Sequence, residues 1–308
     1  MTSRMRFVGV TTGASSIMRI FPVWADILGL DAELVGLDIP LGAQPSAYRE
    51  AMAEMREDPA CVGALVTTHK IALHDAARDL FDELDPFAAS CGEISSIAFR
   101  DRAAGDGTPR TAGAAKDPIT AGLALEEVLA PDHFAGGGHV LCLGAGGAGT
   151  AIGWYLAGRP DRPGPLTVVD VSAERLDHLR TVVGGHAPGV DLRTLTVGEA
   201  DLPALLADLP PGSLLVNATG MGKDRPGSPL PDEVVLPRGA VVWELNYRGS
   251  LEFLAQARAQ EVERELTVVD GWRYFIHGWT QVIADVFDLE MTPEVVAELS
   301  AAARDATT

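Results

Sequence analysis

The stretch HVLCLGAGGAGTAIGWYL, His139 to Leu156, decides the fold. It reads as a buried strand, Val140 to Leu143, then a glycine turn, then a helix starting near Ala148. Gly144, Gly146 and Gly149 fit G-x-G-x-x-G. In that pattern the first glycine allows the tight turn, the second lets a pyrophosphate approach the backbone, and the third lets helix and strand pack closely. The free N–H groups and positive dipole end of the helix then face the phosphates. Glycine-rich turns also occur with no ligand, so the surroundings decide. LTVVDV, Leu166 to Val171, is the next strand and carries Asp170, 21 residues beyond the last glycine. An acid at that place bonds a ribose diol, whereas a bare surface aspartate is the bland alternative. The whole series of strand, glycine turn, helix, strand and acid reads as dinucleotide binding.

Upstream, strands are expected over Arg6–Thr11, Ala32–Ile39, Val62–Val66 and Glu93–Arg100, and helices over Ile17–Leu28, Pro45–Glu57 and Leu73–Leu84. Pro22 suits an early helical position, and Pro45 a first turn. Asp101 to Ala112 is polar and turn-rich and reads as an exposed hairpin or loop. Ile119–Leu129 reads as a connecting helix, with Gly136–Gly138 a hinge-like break behind it. Downstream of the glycine turn, strands near Leu192–Val197, Ser213–Thr219, Ala240–Leu245 and Leu266–Gly271 alternate with helices near Ala173–Val183, Leu202–Leu209 and Leu251–Gln260. The tail Trp272–Ala303 is helical. Alternating strands and helices imply parallel or mixed sheets covered on both faces. The fold class is therefore α/β with two domains: an N-terminal α/β substrate-binding domain and a Rossmann-type dinucleotide-binding domain. The expected bounds are 1–118 with 272–308 for the first and 119–271 for the second, the C-terminal helices returning to the first domain.

The chain has 308 residues, more than one core usually supports. Its formal net charge of −19 repels phosphate backbones, which argues against nucleic acid as a partner. Cys61, Cys91 and Cys142 are scattered without metal-ligand spacing, and they read as small buried residues in a reducing compartment. No metal site is expected. No apolar run reads as a signal peptide or a membrane span, so a cytoplasmic location with no membrane partner is expected.

Two residues are candidates for chemistry, although most lysines are solvated surface charges. Lys70 closes the third strand, at the carboxyl end where ligands of open α/β sheets collect. Asp117 lies just before the connecting helix, where a helix cap is its structural alternative. A lysine–carboxylate pair facing a nicotinamide shuttles the proton that accompanies hydride transfer at a secondary alcohol. His69 reads as an exposed histidine in preference to a group supporting Lys70, and Trp279 as core in preference to pocket lining.

In motif order the chain resembles the shikimate dehydrogenase family along nearly its whole length. The family's N-V-T-x-P-x-K appears as LVTTHK, Leu65 to Lys70; its G-A-V-N-T as GEISS, Gly92 to Ser96; and its N-T-D as AKD, Ala115 to Asp117. The glycine loop matches fully, N-A-T-x-x-G is kept as NATGMG, Asn217 to Gly222, and WELNY, Trp243 to Tyr247, and DGWRYFIHGWTQ, Asp270 to Gln281, complete the series. By that resemblance Lys70 and Asp117 are the catalytic pair, and Ser15, Thr67, Ser95, Tyr247 and Gln281 bind substrate. Gly144, Ala145, Gly146, Gly147, Ala148, Gly149, Asp170, Asn217, Thr219 and Gly271 surround the cofactor. The departures fall on substrate positions. Ile17 stands where the family has a second serine, Ser95 and Ala115 where it has asparagines, and Gly278 where a glutamine falls unless three residues are inserted to reach Gln281. Thr67 matches the family's threonine only with one residue deleted.

NADP-using members follow the second strand with N-R-T-x-x-R; here DVSAER, Asp170 to Arg175, keeps only the last arginine, so NAD is the expected cofactor. The resemblance implies an NAD-dependent dehydrogenase that transfers hydride between the nicotinamide and a secondary hydroxyl or ketone of a cyclic hydroxy acid: shikimate, quinate or a relative. A homodimer is compatible with it. Two alternatives stand beside it: a methylene-tetrahydrofolate dehydrogenase-like enzyme, and a non-catalytic dinucleotide-binding sensor.

Overall fold

The computed structural model describes residues 2–101, 109–223 and 226–307, with the side chain of Thr307 left aside. The chain divides into two compact units, residues 1–117 with 276–308 and residues 118–275.

The first unit opens with β1 (Ser3–Gly9), α1 (Ile17–Leu28), β2 (Ala32–Asp38), α2 (Pro45–Glu57) and β3 (Cys61–Val66). The bounds expected for α1 and α2 hold because their apolar spacing is unambiguous. Ile17, Ile20, Phe21, Trp24 and Ala25 bury one face of α1, and Gly29 closes the helix in the left-handed region. Pro22 sits inside α1, deeper than the first turn its chemistry prefers. Pro45 is at the start of α2, as expected.

Then come α3 (Lys70–Ala77), β4 (Glu83–Leu84), α4 (Pro86–Cys91), β5 (Ser96–Arg100) and β6 (Arg110–Ala114). The sheet order is β2-β1-β3-β5-β6-β4, with β1, β2 and β3 parallel and β5 antiparallel to β3 and β6. The sheet is thus mixed. The helix expected over Leu73–Leu84 stops at Ala77, because β6 claims the chain beyond it. Asp82 N–H donates to Thr111 O at 2.9 Å and Asp85 N–H to Gly113 O at 2.9 Å. Helix α4 adds to the expected elements. Asp85 caps it by accepting the Ala88 N–H at 2.6 Å, with Pro86 in its first turn. The strand expected from Glu93 begins at Ser96; of the exposed hairpin or loop expected over Asp101–Ala112, residues 102–108 lie outside the described residues, and Arg110–Ala112 belong to β6, which pairs antiparallel with β5.

The second unit is entered by α5 (Asp117–Glu126) and runs β7 (Val140–Leu143), α6 (Gly147–Gly158), β8 (Leu166–Asp170), α7 (Ala173–His186), β9 (Leu192–Thr196), α8 (Leu202–Ala207), β10 (Leu214–Asn217), β11 (Val241–Glu244), α9 (Glu252–Arg264) and β12 (Thr267–Val269). All pairings in its sheet are parallel, in the order β12-β11-β10-β7-β8-β9. Counted from β7, this is the doubly wound order, reversing between β7 and β10. Both faces are covered, so β7, β8, β10 and β11 are buried along their whole length. Val140 and Cys142 pack with Ile152 and Leu156 on one side; Leu141 and Leu143 pack with Phe253 and Ala257 on the other.

Helices α10 (Trp272–Phe287) and α11 (Pro293–Thr307) end the chain, and from Ile276 onward they belong to the first unit. Trp24 Nε1–H donates to Leu299 O at 2.8 Å, and Trp279 meets Phe7 edge-on with centroids 5.0 Å apart. Trp279 is therefore core. Among the described residues no helix is long and apolar enough to cross a membrane, and no cluster of His, Cys, Asp or Glu is arranged to hold a metal ion.

Candidate active site

In the second unit, the glycine loop lies at the switch point between β7 and β10. Gly144 turns the chain with φ +110, and a Cβ there would stand 2.6 Å from Ala218 C, at the end of β10. A Cβ on Gly149 would stand 2.0 Å from Gly144 O, so α6 packs against the turn only without a side chain. A Cβ on Gly146 would meet nothing within 4 Å. The first and third glycines thus serve packing, while the second leaves open space beside the N-terminus of α6. Gly147, Ala148 and Gly149 form the first turn of α6, the kind of helix end whose free N–H groups favour an anion.

Asp170 ends β8 with both carboxylate oxygens engaged. Oδ2 accepts the Ala145 N–H at 2.7 Å and Oδ1 the Ser172 N–H at 2.8 Å. The next residue, Val171, is 80% exposed. Asn217, fully buried, organises the NATGMG turn. Its Oδ1 accepts the Thr219 N–H at 3.1 Å and Thr219 Oγ1–H at 2.7 Å, while its Nδ2 donates to Glu244 Oε2 at 2.7 Å. Glu244 also accepts the Asn246 N–H at 2.8 Å, and burial pushes its carboxyl up to about 7. Asn217 thus shapes the loop, and Thr219 stands exposed on it. Gly271 presses on this region: a Cβ there would stand 1.9 Å from Leu245 O. Tyr247 belongs to this unit and packs against Phe275, centroids 4.3 Å apart.

In the first unit, Lys70 and Asp117 are the first residues of α3 and α5, and Lys70 Nζ forms an ion pair with Asp117 Oδ2. Burial alone would lower the Lys70 ammonium's proton affinity, but Asp117 and then Glu93 pull the other way and prevail, so Lys70 holds its proton more tightly than an ordinary lysine. The turn before it is strained. Thr68, a β-branched residue, has φ +35, and the His69 N–H closes on Thr67 O around it.

His69 is 2% exposed, which overturns the exposed reading. Its Nε2 meets Ile39 O at 2.8 Å and its Nδ1 the Tyr48 hydroxyl at 3.2 Å; donation from Nε2 to the carbonyl leaves Nδ1 to accept. Those two contacts fix the residue next to Lys70. Among the expected substrate residues, Ser95 is buried and its Oγ accepts the Lys116 N–H at 2.7 Å. Ala115 is fully buried, with its N–H on Asp85 Oδ1 at 3.2 Å. Ser95 thus braces the turn that presents Asp117. Ile17 is fully buried, Ser15 is half-buried beside it, Thr67 donates its N–H to Val8 O at 2.9 Å, and Gly278 and Gln281 are half-buried on α10.

Sequence reading missed Glu93 and Glu244. Both are carboxyls inside apolar stretches, EISSIAF and VVWEL, and an acid in a run that reads as a buried strand is itself a signal.

A doubly wound sheet with such a glycine loop at its switch point defines a class, the dinucleotide-binding proteins. No family model matches the chain. A shikimate dehydrogenase (NADP(+)) of Methylobacterium radiotolerans is 30% identical over 278 residues, covering 90% of this chain and 88% of the relative. Another, of Symbiobacterium thermophilum, is 28% identical over 254 residues, covering 81% and 76%. Among solved structures, the shikimate 5-dehydrogenase of Thermus thermophilus in complex with NADP(H) and shikimate is 25% identical, with TM-score 0.71 over 99% of both chains. The quinate dehydrogenase of Corynebacterium glutamicum in complex with NAD shares the fold at 20% identity, with TM-score 0.73 over 99% of both chains. The chain belongs to the shikimate dehydrogenase family and is a dehydrogenase acting on a CH–OH group. Neither the folate-type enzyme nor the non-catalytic sensor is favoured by these relatives.

Proposed function

We propose that the protein is an NAD-dependent dehydrogenase of the shikimate type whose substrate is a cyclic hydroxy acid: shikimate, quinate or a relative. The observation that carries this reading is the ion pair between Lys70 and Asp117 at the starts of α3 and α5. The nicotinamide, when bound, supplies the hydride acceptor or donor. On oxidation the alcohol carbon gives up its hydride, and Lys70, as the neutral amine, takes the hydroxyl proton; reduction of the ketone reverses both. Asp117 orients the Lys70 nitrogen and stabilises the ammonium that forms. Residues 118–275 bind the dinucleotide, with Gly144 to Gly149 on the pyrophosphate and Asp170 on the adenosine ribose, while Asn217, Thr219 and Gly271 shape the nicotinamide end. Ser15, Thr67, Ser95, Tyr247 and Gln281 are assigned to the substrate, Ser95 by bracing the Asp117 turn. The net charge of −19 supports a small-molecule partner over nucleic acid, and the buried free cysteines support a reducing compartment such as the cytoplasm.

The test is a panel of cyclic hydroxy acids offered with NAD and with NADP, followed at the absorbance of the reduced nicotinamide. The reading expects turnover of at least one ring acid, faster with NAD. No turnover of any member with either cofactor would sink it.

A further inference from the structure

The family pattern G-A-V-N-T has alanine where this chain has Glu93. That glutamate is 2% exposed, and its Oε1 has no hydrogen-bond partner among the described residues. It is fixed next to the catalytic pair by the backbone, because the following residue, Ile94, donates its N–H to the carbonyl of Lys70 at 3.1 Å. Two residues on, Ser95 holds the Lys116 N–H and so the turn into Asp117. The segment Glu93–Ser95 therefore touches the backbone at both ends of the Lys70–Asp117 pair.

The charged and titratable groups whose electrostatics couple to Glu93 are Lys70 at the start of α3, Asp117 at the start of α5, Asp85 at the cap of α4, and the buried Cys91 thiol at the end of α4. Lys70 and Asp117 neutralise each other. An ionised Glu93 would add an uncompensated negative charge in a dry place, which is costly. We propose that Glu93 is a third member of the proton-transfer site, a positioning residue whose charge sets how tightly Lys70 holds its proton. Burial first, and then Asp117 and Asp85, push its carboxyl up to about 8, against the pull of Lys70. Near neutrality it is a neutral acid. When it ionises on the alkaline side, Lys70 stands between two carboxylates, and its deprotonation, which alcohol oxidation requires, becomes harder.

This inference rests on the reading of Lys70 as the proton-transferring group. The test is the pH profile of kcat for oxidation of shikimate or quinate with NAD, in the wild type, Glu93→Gln and Glu93→Ala. If the charge matters, both variants lose it, and both profiles shift to lower pH relative to wild type. If Glu93 only fills space, the isosteric Gln variant keeps the wild-type profile, and that result overturns the inference. Infrared difference spectra of the unliganded protein give a second readout: a protonated carboxyl titrating near pH 8 in the wild type and absent in Glu93→Gln. No such band in the wild type overturns the inference as well. Loss of turnover in Lys70→Ala, with superimposable Glu93→Gln and wild-type profiles, defeats only the role of Glu93. Full turnover in Lys70→Ala defeats both.

Discussion

Asp170 Oδ2 accepts the Ala145 N–H at 2.7 Å, tying the end of the second dinucleotide strand to the glycine loop. The carboxylate keeps lone pairs free for ribose hydroxyls, yet it places a negative charge where a 2′-phosphate would sit. Val171, exposed beside it, offers no cation. Repulsion plus the missing arginine is expected to favour NAD by about 2–4 kcal/mol, or at least about thirtyfold in kcat/KM. Val171→Arg leaves the Asp170–Ala145 bond in place and is expected to raise kcat/KM with NADP while changing that with NAD little. Side-by-side kinetics check this; a wild type that prefers NADP would refute the reading of Asp170.

The glycine contacts make a stability prediction. A methyl on Gly149 or Gly271 would stand 2.0 Å from Gly144 O or 1.9 Å from Leu245 O, and both neighbours are backbone. Gly149→Ala and Gly271→Ala should each destabilise the protein by about 1–3 kcal/mol or more and weaken dinucleotide binding. Gly146→Ala, facing open space, should leave the fold intact and weaken only binding. Denaturation midpoints beside titration with NADH separate the two effects, and a destabilised Gly146→Ala with normal affinity would contradict the division of labour.

Much of this was legible because the motifs have rigid periodicities. The glycine loop and Asp170 could be found from spacing, and α1 and α2 from clean helical patterns, whereas Lys70 and Asp117 are assigned as the catalytic pair only by the family resemblance. What failed was short or set by distant partners. The Glu83–Leu84 strand exists because β6 pairs with it, and two residues carry no period. The burial of His69 depends on Ile39 and Tyr48, far away in sequence. The carboxyl of Glu93 is brought near Lys70 only by folding, so its pull on the Lys70 proton could not be read from the sequence.

Substrate preference follows from Ser95 and Ala115. Where the family places amide side chains, one residue is committed to the Lys116 N–H and the other is a buried methyl. Each lost hydrogen bond is worth about 1–3 kcal/mol, so the two together should cost shikimate at least about thirtyfold in kcat/KM. A differently substituted ring acid is expected to surpass shikimate in the panel. Shikimate emerging as the best substrate would mean that other residues replace both contacts.

Stability should depend on pH through Glu93. Its carboxyl sits near 8 in the folded protein against an ordinary 4.5, so folding takes up a proton between those values. The stability it contributes is fully present below about pH 4.5 and is lost as pH rises to about 8. Glu93→Gln removes that loss. Relative to wild type it should gain up to about 1.4 kcal/mol per pH unit across the window, and gain nothing further above it. Urea midpoints at several pH values test this, and a constant difference between the two proteins would rule it out.

The central claim is that Lys70 moves the proton, and the most direct measurement is the turnover of Lys70→Ala with the best substrate of the panel, beside its affinity for NADH by fluorescence. The account predicts a fall in kcat of about two to four orders of magnitude, with NADH affinity within about twofold of wild type because Lys70 lies outside the dinucleotide unit. A variant that turns over at close to the wild-type rate would contradict the account.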